Sequence, residues 1–551
     1  MKDTVKGAVE DSVNGTAKDN AKNTEEALLM DNLPRLEGSS IVPPAHYGRT
    51  LVLCFDGTGD QFDDDNSSIV EFFSLLKKDD RTKQLVYYQA GIGTYTSPEM
   101  VTPLMSKISK SLDAAVAWNL HAHVMDGYEF LMQNYTAGDR ICIFGFSRGA
   151  YTARCLAGMI HKVGILPACN HQQVPFAYKM YAEDNDKYSD KAKAFKKAFS
   201  TNVDIEFIGV WDTVDSVGLI PRTLPFTGSN HIVRTFRHAV ALDERRAKFK
   251  AKMYWGDDKD EDDGHVDGEG EEPVDVLPKG LKKSLKGTGI NRELAIKALK
   301  KKYRGPKNGD AENGASKTNV KEVWFAGCHC DVGGGSVKND TKKSLARIPL
   351  RWMIRECFDR DSGIMFNAKL LKERLGMEPS ELYPIVKDRP DPLKIDARAD
   401  IIEPREDLEP GFFSRVSKFL GFGREQKIQD SNGHLSCSSE TTLGRVLPDH
   451  ELDHADLLCP IYDQLSMKWW LWGILEVMPL LRKSPGSIRM RLGINWGHGR
   501  VIPEPQGGGK VLVHRSVEAR MKAKDMLGKR YRPAAENWQY LKNNDKIKWV
   551  N

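Results

Sequence analysis

Apolar positions gather into short continuous runs along this chain. Arg49-Thr50-Leu51-Val52-Leu53-Cys54-Phe55, Leu85-Val86-Tyr87-Tyr88, Ile141-Cys142-Ile143-Phe144 and Asp204-Ile205-Glu206-Phe207-Ile208-Gly209-Val210-Trp211 are the clearest. Such runs read as strands buried on both faces, because helices covering both sides of a sheet leave no polar face. Between the second and third runs Ala114, Leu120, Val124, Tyr128 and Leu131 recur at helical spacing, which predicts a long helix from about Ser109 to Tyr135. Strands alternating with helices predict an α/β fold with a doubly wound, mostly parallel sheet. Further strands are expected at Arg237 to Leu242 and Glu322 to Gly327. One helix should open at Asp243-Glu244-Arg245-Arg246, and another should cover Leu345 to Phe358.

The third run leads into Gly145-Phe146-Ser147-Arg148-Gly149, with small and aromatic residues following in helical rhythm. Strand, sharp turn and helix form the context of a nucleophile elbow. The serine there sits in a strained backbone, and side chains two residues before or after it would collide with neighbouring elements. The amide of Arg148, in the first helical turn, is a candidate oxyanion donor. Small residues also end the first strand, in Asp56-Gly57-Thr58-Gly59-Asp60, so Gly57 and Thr58 are candidates for the other donor. An aspartate-nucleophile phosphatase loop also ends a strand in Asp-Gly-Thr, but its nucleophile lies two positions earlier, where this chain has Cys54.

In open α/β sheets ligands bind at the carboxyl ends of the strands. Asp212 follows the strand ending at Trp211, and His329 follows the strand ending at Gly327. The order Ser147, Asp212, His329 is that of an α/β-hydrolase triad: nucleophile, orienting carboxylate, then general base. His454, His498 and His514 also follow in order, and the sequence leaves them open as the base. Cys328-His329-Cys330 lacks the thiolate spacing and the second pair of a zinc site.

Residues 1–45 are polar and end in Pro43-Pro44, so a disordered tail is expected. Residues 46–360 form the expected core, interrupted at 256–320 by a flexible insertion, acidic and then basic. Residues 361–551 read as a helical and loop-rich C-terminal cap, with an aromatic-rich helix at 468–481 that suits a core helix or a peripheral membrane contact. A formal charge of +5 over 551 residues argues against nucleic acid as a partner. Nine scattered cysteines, no apolar leader and no spanning apolar run point to a cytoplasmic protein.

Five blocks together resemble one family: Phe55-Asp56-Gly57-Thr58, Gly145 to Tyr151, Gly209 to Val214, His238 to Glu244 and Gly327 to Gly335. It is an α/β-hydrolase family long catalogued as a domain of unknown function. Its bacterial members include phospholipase effectors of type VI secretion, and it has many fungal members, which the length, tail and insertion of this chain resemble. The resemblance spans about Arg49 to Cys357, and Val513-His514-Arg515-Ser516-Val517 also looks like a family element. It implies a triad of Ser147, Asp212 and His329 and a lipolytic esterase or phospholipase reaction. That chemistry calls for no metal or organic cofactor. A soluble-ester esterase and a non-catalytic binding protein that uses the charged insertion as a docking arm are the rival expectations.

Overall fold

The computed structural model describes residues 39–551 apart from 45–47, 59, 92–107, 184–185, 215–223, 255–317, 397, 406–446, 468–471, 474–475, 478–479, 484–489 and 506–508. Eight strands among the described residues make one sheet. They are β1 (Thr50–Phe55), β2 (Gln84–Gln89), β3 (Arg140–Phe146), β4 (Ile205–Trp211), β5 (Val233–Ala241), β6 (Asn319–Phe325), β7 (Val511–His514) and β8 (Ile547–Val550). The helices that matter for the site are α1 (Ser68–Leu75), α2 (Ile108–Asn134), α3 (Ser147–Val163), α4 (His329–Gly333), α5 (Arg347–Asp359) and α6 (Arg515–Lys522).

The apolar runs become strands because each side of the sheet has its own cover. Every residue of β1 is buried. Leu51, Leu53 and Phe55 enter one core with Tyr128 and Leu131 of α2 and Tyr151 and Leu156 of α3. Val52 and Cys54 enter the other, with Ile69 and Phe72 of α1 and Trp352 and Met353 of α5. Alternate residues therefore serve opposite faces, as the two-residue period of a strand requires. In the second core the Phe72 ring lies 4.3 Å from Phe144 and 6.0 Å from Trp211. Burial of an aromatic side chain of this kind contributes about 1.5–3 kcal/mol.

All neighbouring strands pair in parallel, in the order β2-β1-β3-β4-β5-β6-β7-β8. Leu51 stands opposite Leu85 of β2 on one side and Ile141 of β3 on the other. The chain runs outward from β1 to β2 and then returns to the far side of β1 for β3. A reversal of this kind leaves a crevice at the carboxyl ends of the two central strands. The loop carrying Gly57 and Thr58 and the turn carrying Ser147 both open there.

The sheet extends further along the chain than the apolar runs indicate. β7 and β8 come from the region expected to be cap, and they join β6 through Leu512 opposite Val323 and Val513 opposite Trp324. Each is only four residues long, and they are held by a third apolar cluster that includes Trp324, Val513, Val517, Trp538 and Leu541. The helix expected at Asp243-Glu244-Arg245-Arg246 does not form. The Glu244 carboxylate instead accepts the amides of Arg245 and Arg246, at 2.9 and 2.7 Å, and bends the chain into a turn.

Most of the tail and nearly all of the 256–320 insertion lie outside the described residues. Of the tail, Ile41–Val42 pairs with Phe366–Asn367, and Val42 is buried. Trp469 and Trp470 of the aromatic stretch also lie outside. Glu476 in the same stretch is buried, and its carboxylate accepts the Ala247 amide at 2.6 Å, the Asn495 side chain at 2.6 Å and the Gly497 amide at 2.9 Å. No described helix is long and apolar enough to cross a membrane.

Candidate active site

Ser147 occupies the first position of α3 with φ of 58°, a left-handed conformation that a serine adopts only under constraint. The constraint is the closeness of strand and helix. A Cβ on Gly145 would stand 2.5 Å from the Gly149 carbonyl oxygen, and one on Gly149 would stand 2.3 Å from the carbonyl oxygens of Phe55 and Asp56. Both contacts are impossible, so glycine is required at each position. The turn lifts the Ser147 hydroxyl above the end of β3.

His329 begins α4, and its Nε2 lies 2.8 Å from Ser147 Oγ. Its Nδ1 lies 2.5 Å from Oδ2 of Asp212, at the end of β4. With Nδ1–H donating to the carboxylate, Nε2 is left to accept the Ser147 proton. The Phe146 ring, 4.7 Å away, and the Phe249 ring, 4.9 Å away, hold the imidazole between them. Gly333 makes room for Phe146, since a Cβ there would fall 1.8 Å from that ring. The backbone amide of His329 donates to Glu244 Oε2 at 3.2 Å.

Asp212 carries no solvent exposure and uses both oxygens fully. Oδ1 accepts the Ala241 amide at 2.8 Å and Arg500 Nη1 at 2.6 Å, while Oδ2 accepts His329 and Arg500 Nη2 at 2.9 Å. Burial pushes this carboxyl up, but Arg500 and His329 outweigh it and hold it well below the usual carboxylate range. Burial lowers the His329 imidazole below its ordinary value, against the opposing pull of Asp212. The pair is therefore a carboxylate beside a neutral imidazole at neutral pH.

The three other histidines considered from sequence lie elsewhere. His454 Nε2 bonds Asp400 at 3.0 Å, His498 Nδ1 faces Glu536 at 3.2 Å, and His514 Nδ1 meets Ser516 Oγ at 2.8 Å. Among the oxyanion candidates, the Gly57 amide donates to Asp56 Oδ1 at 2.8 Å. Asp56 also accepts from the hydroxyls of Ser67 and Tyr88, at 2.6 and 2.8 Å, and so pins the loop. The Arg148 amide lies in the first turn of α3, where no intrahelical acceptor exists. The Thr58 hydroxyl is buried without a hydrogen-bond partner among the described residues. Asp60 closes this loop, its amide donating to the Gly57 carbonyl oxygen at 3.0 Å. Burial, then Asp56, Asp63 and Asp65, push its carboxyl up to about 7 against the attraction of Arg148.

Arg500 is the residue that the sequence reading missed. Its charge does not set it apart among 81 lysines and arginines. Its only local signal is the Trp496-Gly497-His498-Gly499 turn before it, where a Cβ on Gly499 would stand 2.0 Å from the Ala534 carbonyl oxygen. A cavity of about 680 Å³ lined by Arg355, Lys372, Arg389 and Asp449 is separate from these residues.

Residues 49–356 match the family described as the type VI secretion phospholipase effector Tle1-like catalytic domain. The chain belongs to the Tle1-like family. The matched span contains Ser147, Asp212 and His329 and ends before Arg500, β7 and β8. An uncharacterized protein of Saccharomyces cerevisiae is 28% identical over 576 aligned positions, covering 90% of this chain and 82% of its own. Solved structures match as well, two of them as follows. One is an uncharacterized protein from Pseudomonas aeruginosa, 17% identical with a TM-score of 0.27, covering 57% of this chain and 46% of that one. The other is the Tle1 effector bound to the VgrG spike of the type VI secretion system, 15% identical with a TM-score of 0.24, covering 54% and 57%. The chain spans about half the length of each of these two solved structures.

Proposed function

We propose that the protein is a serine hydrolase that cleaves carboxylic esters of lipids through an acyl-enzyme on Ser147. The observation that carries this reading is the continuous contact from Ser147 Oγ through His329 to Asp212, with the serine on a strained elbow at the sheet's switch point. Ser147 Oγ attacks the ester carbonyl while His329 Nε2 takes its proton. The carbon–oxygen ester bond then breaks, and His329 returns the proton to the departing alkoxide. Water, deprotonated by the same imidazole, attacks the acyl-serine and releases the acid. Asp212 orients the imidazole and stabilises its cation. The amides of Arg148 and Thr58 are the favoured oxyanion donors, since the Gly57 amide is already engaged.

Membership of a family described as phospholipase effectors supports a lipid substrate. So do Val477, Ile494 and Trp496, exposed apolar side chains on the segments that Glu476 ties to Ala247, and with them a peripheral membrane contact through 468–481. The eight described cysteines are free thiols, which supports a cytoplasmic location. Hydrolysis of p-nitrophenyl esters from acetate to palmitate, and of phospholipid vesicles, compared with Ser147→Ala, tests the proposal. Release that favours long acyl chains and vanishes in the variant is the expected result. Release confined to acetate would make the enzyme a soluble-ester esterase. Release that persists in the variant would overturn the serine mechanism.

A further inference from the structure

The Arg500 guanidinium has every donor direction occupied. Nε and Nη2 donate to the Phe249 carbonyl oxygen at 2.9 and 2.6 Å, Nη1 donates to the Ala241 carbonyl oxygen at 3.0 Å, and Nη1 and Nη2 each donate to one oxygen of Asp212. Phe249 is also the residue whose ring packs on His329, and Ala241 is the residue whose amide holds Asp212. One side chain from outside the family-matched span thus ties together the carboxylate, the strand beside it and the wall of the imidazole. A two-pronged guanidinium–carboxylate contact is geometrically specific, and lysine cannot reproduce it.

We propose that Arg500 is a positioning residue of the hydrolytic reaction: it fixes the Asp212 carboxylate for His329 and takes up part of its charge, so that the base stays neutral and active into acidic solution. The proposal rests on the serine-hydrolase reading above. A triad carboxylate without such a partner gives its whole negative charge to the imidazolium and raises the imidazole's affinity for a proton. Here Arg500 shares that charge. The other groups around His329 balance one another. Glu244 and Arg246 form a bidentate pair, at 3.0 and 2.9 Å, and the Arg246 guanidinium lies 3.5 Å from the centre of the Phe249 ring. Among the described residues, Ser147, Phe146 and Phe249 also touch the imidazole, and none of the three carries charge.

The test uses the full chain as wild type, Arg500→Gln and Arg500→Lys. Each preparation is titrated with a fluorophosphonate, so that turnover is expressed per reactive serine. The pH dependence of kcat/KM is then recorded on one p-nitrophenyl ester. Arg500→Gln should lower kcat by about 100-fold with KM nearly unchanged, and should move the acid limb upward by about half a unit or more. Arg500→Lys should restore part of kcat and part of the shift. A merely structural role would reduce the titratable fraction and leave the acid limb in place, and that result would overturn the proposal. The His329 titration is read independently by NMR of the histidine-labelled chain, assigned with His329→Gln. This reading stands even if the wild type neither hydrolyses nor labels. In that case the hydrolase reading fails, whereas an unchanged imidazole titration in Arg500→Gln sinks the role of Arg500 alone.

Discussion

Two buried histidines end neighbouring strands of the same sheet, and only one has the partners of a base. His329 follows β6 and His514 ends β7, and each has a serine within 2.8 Å of a ring nitrogen. At His329 the serine comes from a distant strained turn, and the opposite nitrogen meets a carboxylate. At His514 the serine is two residues along the chain. Nδ1 also accepts the Ser516 amide at 3.3 Å, which caps α6, and Nε2 has no hydrogen-bond partner among the described residues. Burial, with Arg389 and Arg515, pushes His514 down to about 3 against the opposing pull of Asp453, so it stays neutral at any working pH. Burial supplies neutrality to both rings, but proton transfer needs an acceptor nitrogen facing a nucleophile and a carboxylate behind it.

Replacing His329 by Gln should cut kcat/KM by about 10³-fold or more, whereas His514→Gln should leave it within about threefold. Steady-state assays on one chromogenic ester check both, and similar losses in the two variants would break the comparison. A smaller effect separates them by stability. His514→Ala removes a helix cap and should cost about 1–2 kcal/mol, read as a lower thermal midpoint with turnover per folded molecule unchanged.

The pH dependence sharpens the contrast. His329 must be neutral to accept the Ser147 proton, so kcat/KM falls as pH drops through its pKa. Because burial lowers that pKa, the acid limb should lie below about 6.5, the ordinary histidine value. A limb above that value would contradict the buried pair.

The smallest effect is expected at Asp60. Its carboxyl is raised to about 7 in the folded chain, so folding opposes its charge. Stability is therefore lost as pH rises from the unfolded value near 4 through about 7. Asp60→Asn should raise stability at pH 8 by about 1–2 kcal/mol and by less at pH 5, after allowing for solvent screening. Thermal midpoints at the two pH values check it.

Much of the fold and part of the site are legible in the sequence. The runs at Leu51, Ile141 and Ile205 announce strands because both faces of their sheet are covered. Gly145 and Gly149 announce the elbow because no other residue fits there. What stayed hidden depends on partners far along the chain. β7 and β8 are too short to carry a pattern, and they become strands by pairing with β6. The turn at Asp243 to Arg246 looks like a helix start until the Glu244 carboxylate is seen holding its amides. The choice among His329, His454, His498 and His514 is one of distance, which chain order cannot supply. Arg500 reaches Asp212 across 288 positions, and no local motif records that.

The most direct test of the central claim is mass-spectrometric mapping of the fluorophosphonate adduct in the wild type, His329→Gln and His514→Gln. The account expects a single adduct on the peptide containing Ser147 in the wild type and His514→Gln, with labelling slowed at least about 100-fold in His329→Gln. An adduct on another serine, or equal labelling rates in all three proteins, would contradict it.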